Sequence, residues 1–355
     1  MVDNSTYIST DLILDHTEYD QDETILILSG ESVDLIEAVA AVAQTVHIYD
    51  RSYRTIKRLR HYLKPDNIYI HDTVYPPYEA LFDTALLFVP KGRDFGRALL
   101  WRALHALKPQ GSLYLVGPNK GGAKSLIKDA ATLFGACHVV SYKKSHRIAV
   151  SIREADDYDF PTEWGTDPTE MQSRTFQTPM GSVRVATLPG IFSWDALDDG
   201  TRFLLDNIDF RQAQSVLDVG CGSGIIGTLA AQRVNAVTML DDNLLAVRCA
   251  QATAEHNQLE TVDVIASDVY SELSELNENK FDLIICNPPF HQKFQVSTHV
   301  PHRIIAGATK HLNAGGRLLM VANDFLRYES VISEHFAQSG TIARNNKYKV
   351  LEGVL

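Results

Sequence analysis

The chain has 355 residues, 45% of them hydrophobic and 22% charged, which suits about two soluble folded domains and excludes disorder or a disulfide-stapled miniprotein. No run of about 18 apolar residues is present, so no membrane span is expected, and the acidic, polar start at residues 1–22 is not a secretory leader. The net charge of -11, from 33 basic against 44 acidic residues, argues against a uniformly basic nucleic-acid binder, because phosphate contacts draw on Lys and Arg.

The first fifty residues carry eleven acids and no Lys or Arg. Within them, 24–28 is a short apolar run ending in Ser29-Gly30, a helical pattern covers 33–43, and a second apolar run closes at Tyr49-Asp50. Residues 51–64 then hold Arg51, Arg54, Lys57, Arg58, Arg60 and Lys64 without an acid. Strands are predicted at 67–70 and 84–89. A helix over 95–107 leads through Pro109-Gln110-Gly111 to a strand at 112–116. Residues 91–128 hold eight basic side chains against the single acid Asp94, and Lys143, Lys144, His146 and Arg147 form a third cluster. One such cluster is an ordinary solvated face. Three in one half of an acidic chain predict a patch for an anionic partner.

Residues 156–185 are rich in Asp, Thr, Pro and Gly and read as a linker, with a small hairpin over 176–188. The second half repeats the order of the first with sharper signals. Strands are predicted at 215–219, 236–240, 262–266, 282–286 and 317–321, with helices at 225–232, 244–256 and 304–312. The last helix stops at Asn313-Ala314-Gly315-Gly316, and 341–344 with 348–352 closes as an antiparallel hairpin. The expected fold is α/β, with duplicated domains at 1–155 and 186–355; two unrelated α/β domains are the alternative. Cys137, Cys221, Cys249 and Cys286 are far apart and read as reduced thiols of a cytoplasmic protein rather than a zinc site.

Chemistry concentrates at strand ends of the second half. Strand 215–219 feeds Gly220-Cys221-Gly222-Ser223-Gly224, where glycines allow positive φ and close approach of a nucleotide-like ligand. Asp241 follows about twenty residues later at the next strand end, where an acid can accept from both ribose hydroxyls; Asp242 is the neighbouring alternative. Asp268 follows the third strand, and Asn287-Pro288-Pro289-Phe290 follows the fourth. Each acid alone could be a cap, and Pro-Pro alone a turn.

The loop after Asp218, with glycines at 220, 222 and 224, resembles motif I of S-adenosylmethionine-dependent methyltransferases more than a dinucleotide fingerprint. That resemblance implies Asp218 near the methionine amine and Asp268 at the adenine amine. Asn287-Pro288-Pro289-Phe290 resembles motif IV of methyltransferases acting on planar nitrogen. The resemblance implies that the Asn287 side-chain oxygen and the Pro288 carbonyl accept hydrogens from an exocyclic amine, freeing its delocalised lone pair for in-line attack. Phe290 then stacks on the extruded base.

With the flanks Leu188-Pro189-Gly190-Ile191-Phe192-Ser193, Leu197-Asp198-Asp199-Gly200-Thr201, His291 and Val321-Ala322-Asn323, the chain resembles bacterial rRNA guanine-N2 methyltransferases of the RsmC/RlmG type. The resemblance implies two tandem Rossmann-like class I methyltransferase domains, the N-terminal one degenerate. It also implies S-adenosylmethionine as cofactor, with Asn287 and Phe192 completing its site, and a guanine of ribosomal RNA or of a ribosomal subunit as substrate, 16S ahead of 23S. Ser29-Gly30-Glu31 offers one glycine where the active half has three, so the first half is expected to bind no cofactor and to recruit RNA. From residue 186 onward there are 13 basic against 20 acidic residues, which leaves RNA binding mainly to the first half. Adenine-N6 and protein glutamine-N5 methylation, or a silent RNA-binding assembly factor, are the alternatives. His291, His299 and His302 read as loop histidines, not metal ligands, and Lys293 and Arg303 as contacts for phosphate or the cofactor carboxylate. No membrane partner is expected, and a monomer is favoured.

Overall fold

Runs of Val, Ile and Leu bounded by polar residues become the buried central strands of a seven-stranded sheet in each half of the chain. The computed structural model describes residues 4–155, 157–210, 212–273, 280–288 and 299–355. It divides into two units, Met1–Glu170 and Met171–Leu355. The first contains α1 (Asn4–His16), β1 (Thr24–Leu28), α2 (Val33–Ala40), β2 (Thr45–Tyr49), α3 (Tyr53–Tyr62), β3 (Ile68–Ile70), β4 (Phe82–Phe88), α4 (Arg93–Ala106), β5 (Leu107–Pro118), α5 (Ala123–Phe134), β6 (His138–Lys143) and β7 (His146–Ile152). The second contains β8 (Gln172–Thr178), β9 (Gly181–Thr187), α6 (Asp199–Asn207), β10 (Ser215–Val219), α7 (Ile225–Ala231), β11 (Ala236–Asp241), α8 (Leu244–His256), β12 (Val262–Ala266), β13 (Phe281–Cys286), α9 (His299–His311), β14 (Leu312–Asn323), α10 (Glu329–His335), β15 (Gln338–Arg344) and β16 (Tyr348–Val354).

The strand orders match: β3-β2-β1-β4-β5-β7-β6 and β12-β11-β10-β13-β14-β16-β15. Pairing is parallel from β12 through β14 and antiparallel across β14, β16 and β15. The order reverses between β10 and β13, which opens a crevice at their carboxyl ends.

The predicted turn at 313–316 is not a loop between helix and strand. Helix α9 stops at His311, β14 begins at once, and the extra residues bulge between the pairs Phe281–Leu312 and Leu283–Arg317. Gly315, at φ 73°, permits the bulge, and a Cβ on Gly316 would meet the Asn313 oxygen at 2.9 Å. The first unit has the same bulge between Phe82–Leu107 and Thr84–Ser112. A Cβ on Gly111 would there meet the Lys108 oxygen at 2.8 Å.

The stretch 156–185 is shared between the units. Asp167 accepts from Trp101 Nε1 at 3.1 Å, and Arg97 lies over the Trp164 ring, so its first part packs on α4. The hairpin β8–β9 packs on α8, where Ala186 N donates to Thr253 Oγ1 at 2.9 Å. Folding also pairs much of the basic charge of the first unit. Arg58 meets Glu31 and Arg60 meets Asp72, both at 2.8 Å. Arg93 and Arg97 share Asp129, and Lys143 meets Asp11 of α1. Among the described residues, no helix is long and apolar enough to cross a membrane.

Candidate active site

The glycines after β10 serve two purposes. Gly220, Gly222 and Gly224 take φ of 76°, 57° and 80°. Gly220 N and Cys221 N both donate to the Leu240 carbonyl, at 2.7 and 3.0 Å, which folds the loop over the end of β11. A Cβ on Gly220 or Gly222 would meet nothing within 4 Å, so the loop has an open face there. At Gly224 it would meet Ala250 Cβ at 3.0 Å and Met239 Sδ at 3.1 Å, so this glycine lets α7 pack closely on its neighbours.

The predicted acids gather around that loop. Asp218 is only 1% exposed, and its Oδ2 accepts Gly227 N from α7 at 2.9 Å. Burial pushes its carboxyl up to about 7. Asp241 accepts Gly222 N on Oδ2 and Asn243 N on Oδ1, both at 2.8 Å, and burial pushes it up to about 6. Each of its oxygens keeps a lone pair beyond these contacts. Asp242 makes neither of those amide contacts. Asp268 lies two residues past β12 and holds Arg303 of α9 at 2.9 Å. Arg303 is therefore an ion-pair partner of the candidate adenine acid, a use its sequence position did not reveal. Cys221 in the loop and Cys286 at the end of β13 are buried, and burial raises both thiols well above the usual range.

Asn287 and the buried Pro288 follow β13, across from the glycine loop because Val219 pairs with Cys286. The Asn287 amide nitrogen donates to Asp198 Oδ2 at 3.0 Å and to Thr201 Oγ1 at 2.8 Å. Asp198 is the N-cap of α6, accepting Thr201 N at 2.8 Å. Phe192, 63% exposed, stands in the β9–α6 loop. Asn243 Nδ2 anchors that loop by donating to the Gly190 carbonyl at 2.8 Å, beside Asp241. Phe290, with Pro289, His291 and Lys293, lies outside the described residues. Among the described residues, no group of three potential ligands could hold a metal ion.

Sequence reasoning missed three contributors: the Asp198–Thr201 pair that holds Asn287, the Asn243 tether, and Arg303 on Asp268. An N-cap signal was legible in Asp198-Asp199-Gly200-Thr201, but nothing local said that the cap also reaches a strand end 89 residues away.

This sheet order, with a glycine loop, strand-end acids and an Asn-Pro facing one crevice, defines a class I S-adenosylmethionine-dependent methyltransferase. The model of the methyltransferase small domain matches residues 182–352, and that of its N-terminal domain matches 10–144. The ribosomal RNA small subunit methyltransferase C of Shewanella pealeana is 31% identical over 354 residues, 98% of each chain. That of Erwinia tasmaniensis is 35% identical over 275 residues, 77% of this chain and 75% of its own. A solved structure of the T. thermophilus 16S rRNA N2 G1207 methyltransferase (RsmC), in complex with AdoMet and guanosine, superposes with a TM-score of 0.84 at 26% identity, covering 98% of this chain and 91% of that one. The chain belongs to the ribosomal RNA small subunit methyltransferase C family.

Proposed function

We propose that the second unit methylates the exocyclic N2 amine of a guanine in 16S ribosomal RNA, as a cytoplasmic monomer acting on the RNA or on the small subunit. The observation that carries this reading is Asn287 beside Pro288 on the rim opposite Gly220–Gly224, in a chain whose T. thermophilus relative is described with AdoMet and guanosine. The open faces at Gly220 and Gly222 leave room for S-adenosylmethionine against the backbone. Asp218 would face its amine, Asp241 its ribose and Asp268 its adenine, with Phe192 covering it. When bound, that cofactor supplies an electrophilic methyl on a sulfonium.

The chain's own task is to make a poor nucleophile attack. The lone pair of an exocyclic amine is spread into the ring, and two acceptors on its hydrogens draw the nitrogen towards tetrahedral. The Asn287 oxygen and the Pro288 carbonyl supply them, and Pro288 has no amide hydrogen to compete. Phe290 would give the base a stacking face. No strong base is required beforehand, because the proton can leave after transfer.

In this reading residues 186–355 carry the chemistry, 1–155 recruit RNA and 156–185 connect them. Arg54 and Lys57, exposed on α3, with Lys57 over the Tyr53 ring at 5.6 Å, support RNA contact by the first unit. Mass-spectrometric mapping of methylated guanosines in ribosomes with and without the protein tests the assignment. One N2-methylguanosine should vanish from 16S RNA, and wild type but not Asn287→Ala should restore it. An unchanged 16S map, with methyl label entering DNA or protein instead, would remove the assignment.

A further inference from the structure

The proposed chemistry needs the oxygen of the Asn287 amide, not its nitrogen, to face the substrate, and an amide does not choose its own orientation. We propose that Asp198 is the positioning residue that makes this choice. A carboxylate only accepts hydrogen bonds. With Asp198 Oδ2 at 3.0 Å, the neighbouring Asn287 atom must be the nitrogen, and rotating the amide would set oxygen against oxygen. Thr201 Oγ1, at 2.8 Å, cannot decide the matter alone, because a hydroxyl can donate as well as accept. The same Asp198 oxygen also accepts Thr201 N at 2.8 Å, so the carboxylate is itself held by the first turn of α6. Both amide hydrogens are thus placed on α6, and the Oδ1 acceptor is left turned away from it. Among the described residues, nothing donates to that oxygen.

Gly200 belongs to the device. A Cβ there would meet Asp198 Oδ2 at 2.9 Å and the Tyr348 ring at 3.4 Å, so a side chain would displace the oxygen that holds the amide. Asp198-Asp199-Gly200-Thr201 therefore works as a clamp on a strand end distant in sequence, besides starting a helix.

This inference rests on the reading of Asn287 as the amine acceptor, and its test separates the two. Three variants of the full chain are compared in methyl transfer to 16S RNA, in cofactor affinity by calorimetry and in melting temperature. Asp198→Ser keeps a helix cap but is too short to reach Asn287, so kcat should fall at least about tenfold while cofactor affinity stays within about threefold. Asp198→Asn keeps an oxygen acceptor and should lose less than about fivefold. Asn287→Asp sets two carboxylates face to face and should lose about a hundredfold, regaining activity towards acid as the pair shares a proton.

In side-chain 15N spectra, the Asn287 amide, assigned by its loss in Asn287→Asp, should exchange slowly in wild type and rapidly in Asp198→Ser. Wild-type kcat and slow exchange in Asp198→Ser would overturn the clamp. If wild type moves no methyl to guanine, the functional reading fails, and the exchange measurement still decides the clamp.

Discussion

At the carboxyl end of β1 the first unit passes through Ser29 and Gly30, where a Cβ on Gly30 would meet Phe88 at 2.9 Å. At the same place in the second unit, the glycine loop leaves its face open. Registers fix the correspondence, since Leu28 pairs with Tyr49 and Leu87 as Val219 pairs with Leu240 and Cys286. Phe88 therefore stands where Asn287 does, and Ile27 where Asp218 does. Much else is shared. Ser29 N reaches the Tyr49 oxygen as Gly220 N reaches that of Leu240. Asp83 accepts Thr24 N at 2.8 Å as Asp282 accepts Ser215 N at 3.1 Å.

Asp50, in the place of Asp241, accepts Ser52 N at 2.7 Å, as Asp241 accepts Asn243 N at 2.8 Å. An acid at this strand end thus starts the following helix in both units. The comparison teaches that the sheet and its rim are separable: the frame persists while an aromatic ring and an aliphatic side chain stand where the second unit has Asn287 and Asp218.

The largest expected effect comes from exchanging the rims. Asn287→Phe should lower methyl transfer by at least about a thousandfold in a radiometric assay, since it removes the acceptor and fills its space. Substantial residual activity would break the correspondence with Phe88.

Protons give the second contrast. Asp218, held to about 7 against an ordinary 3.8, keeps in the folded state a proton that the unfolded chain releases. Stability of the ligand-free second unit should therefore fall as pH rises from about 4 to 7, by something on the order of 4 kcal/mol. Asp241, pushed up to about 6, acts in the same direction. Denaturant titrations across that window should show a slope that Asp218→Asn flattens. Parallel profiles for the two proteins would contradict it.

Third, Gly220→Ala should weaken cofactor binding by about tenfold, because a methyl enters the open face on a positive-φ backbone. Gly30→Ala should leave that binding alone and lower stability by about 1–3 kcal/mol through overpacking on Phe88. Calorimetry and melting curves distinguish the two. The smallest effect falls on RNA contact. Arg54→Ala with Lys57→Ala should reduce the salt slope of RNA binding by about 1.4, leaving transfer to free guanosine unchanged.

How legible was this in sequence? Strands 215–219 and 262–266 and helix 244–256 were readable to the residue, because each strand is a short run dominated by Val, Leu or Ile that breaks at Gly220 or at Ser267-Asp268, and Asn243 caps α8 by accepting Leu245 N. Helix α1 was missed. Its sequence lacks a clear apolar stripe, and Leu12 and Ile13 are its only buried hydrophobic residues, beside the buried Ser9 and Thr10. Of helix α6 only the N-cap signal at Asp198-Asp199-Gly200-Thr201 was legible, and its extent to Asn207 was not read. The glycine loop, strand-end acids and Asn-Pro could be read because each follows a strand directly. The clamp on Asn287 and the pairing of Arg303 with Asp268 join distant segments, and no local pattern records them.

The thiols carry a practical consequence. Cys221, Cys249 and Cys286 are all buried in the second unit, with Cys249 pushed up to about 12. Such sulfurs meet an alkylating reagent only when the polypeptide around them opens. Their modification rate is therefore a built-in clock for the opening of the second unit, and a bound ligand should slow it in proportion to its hold on the folded form.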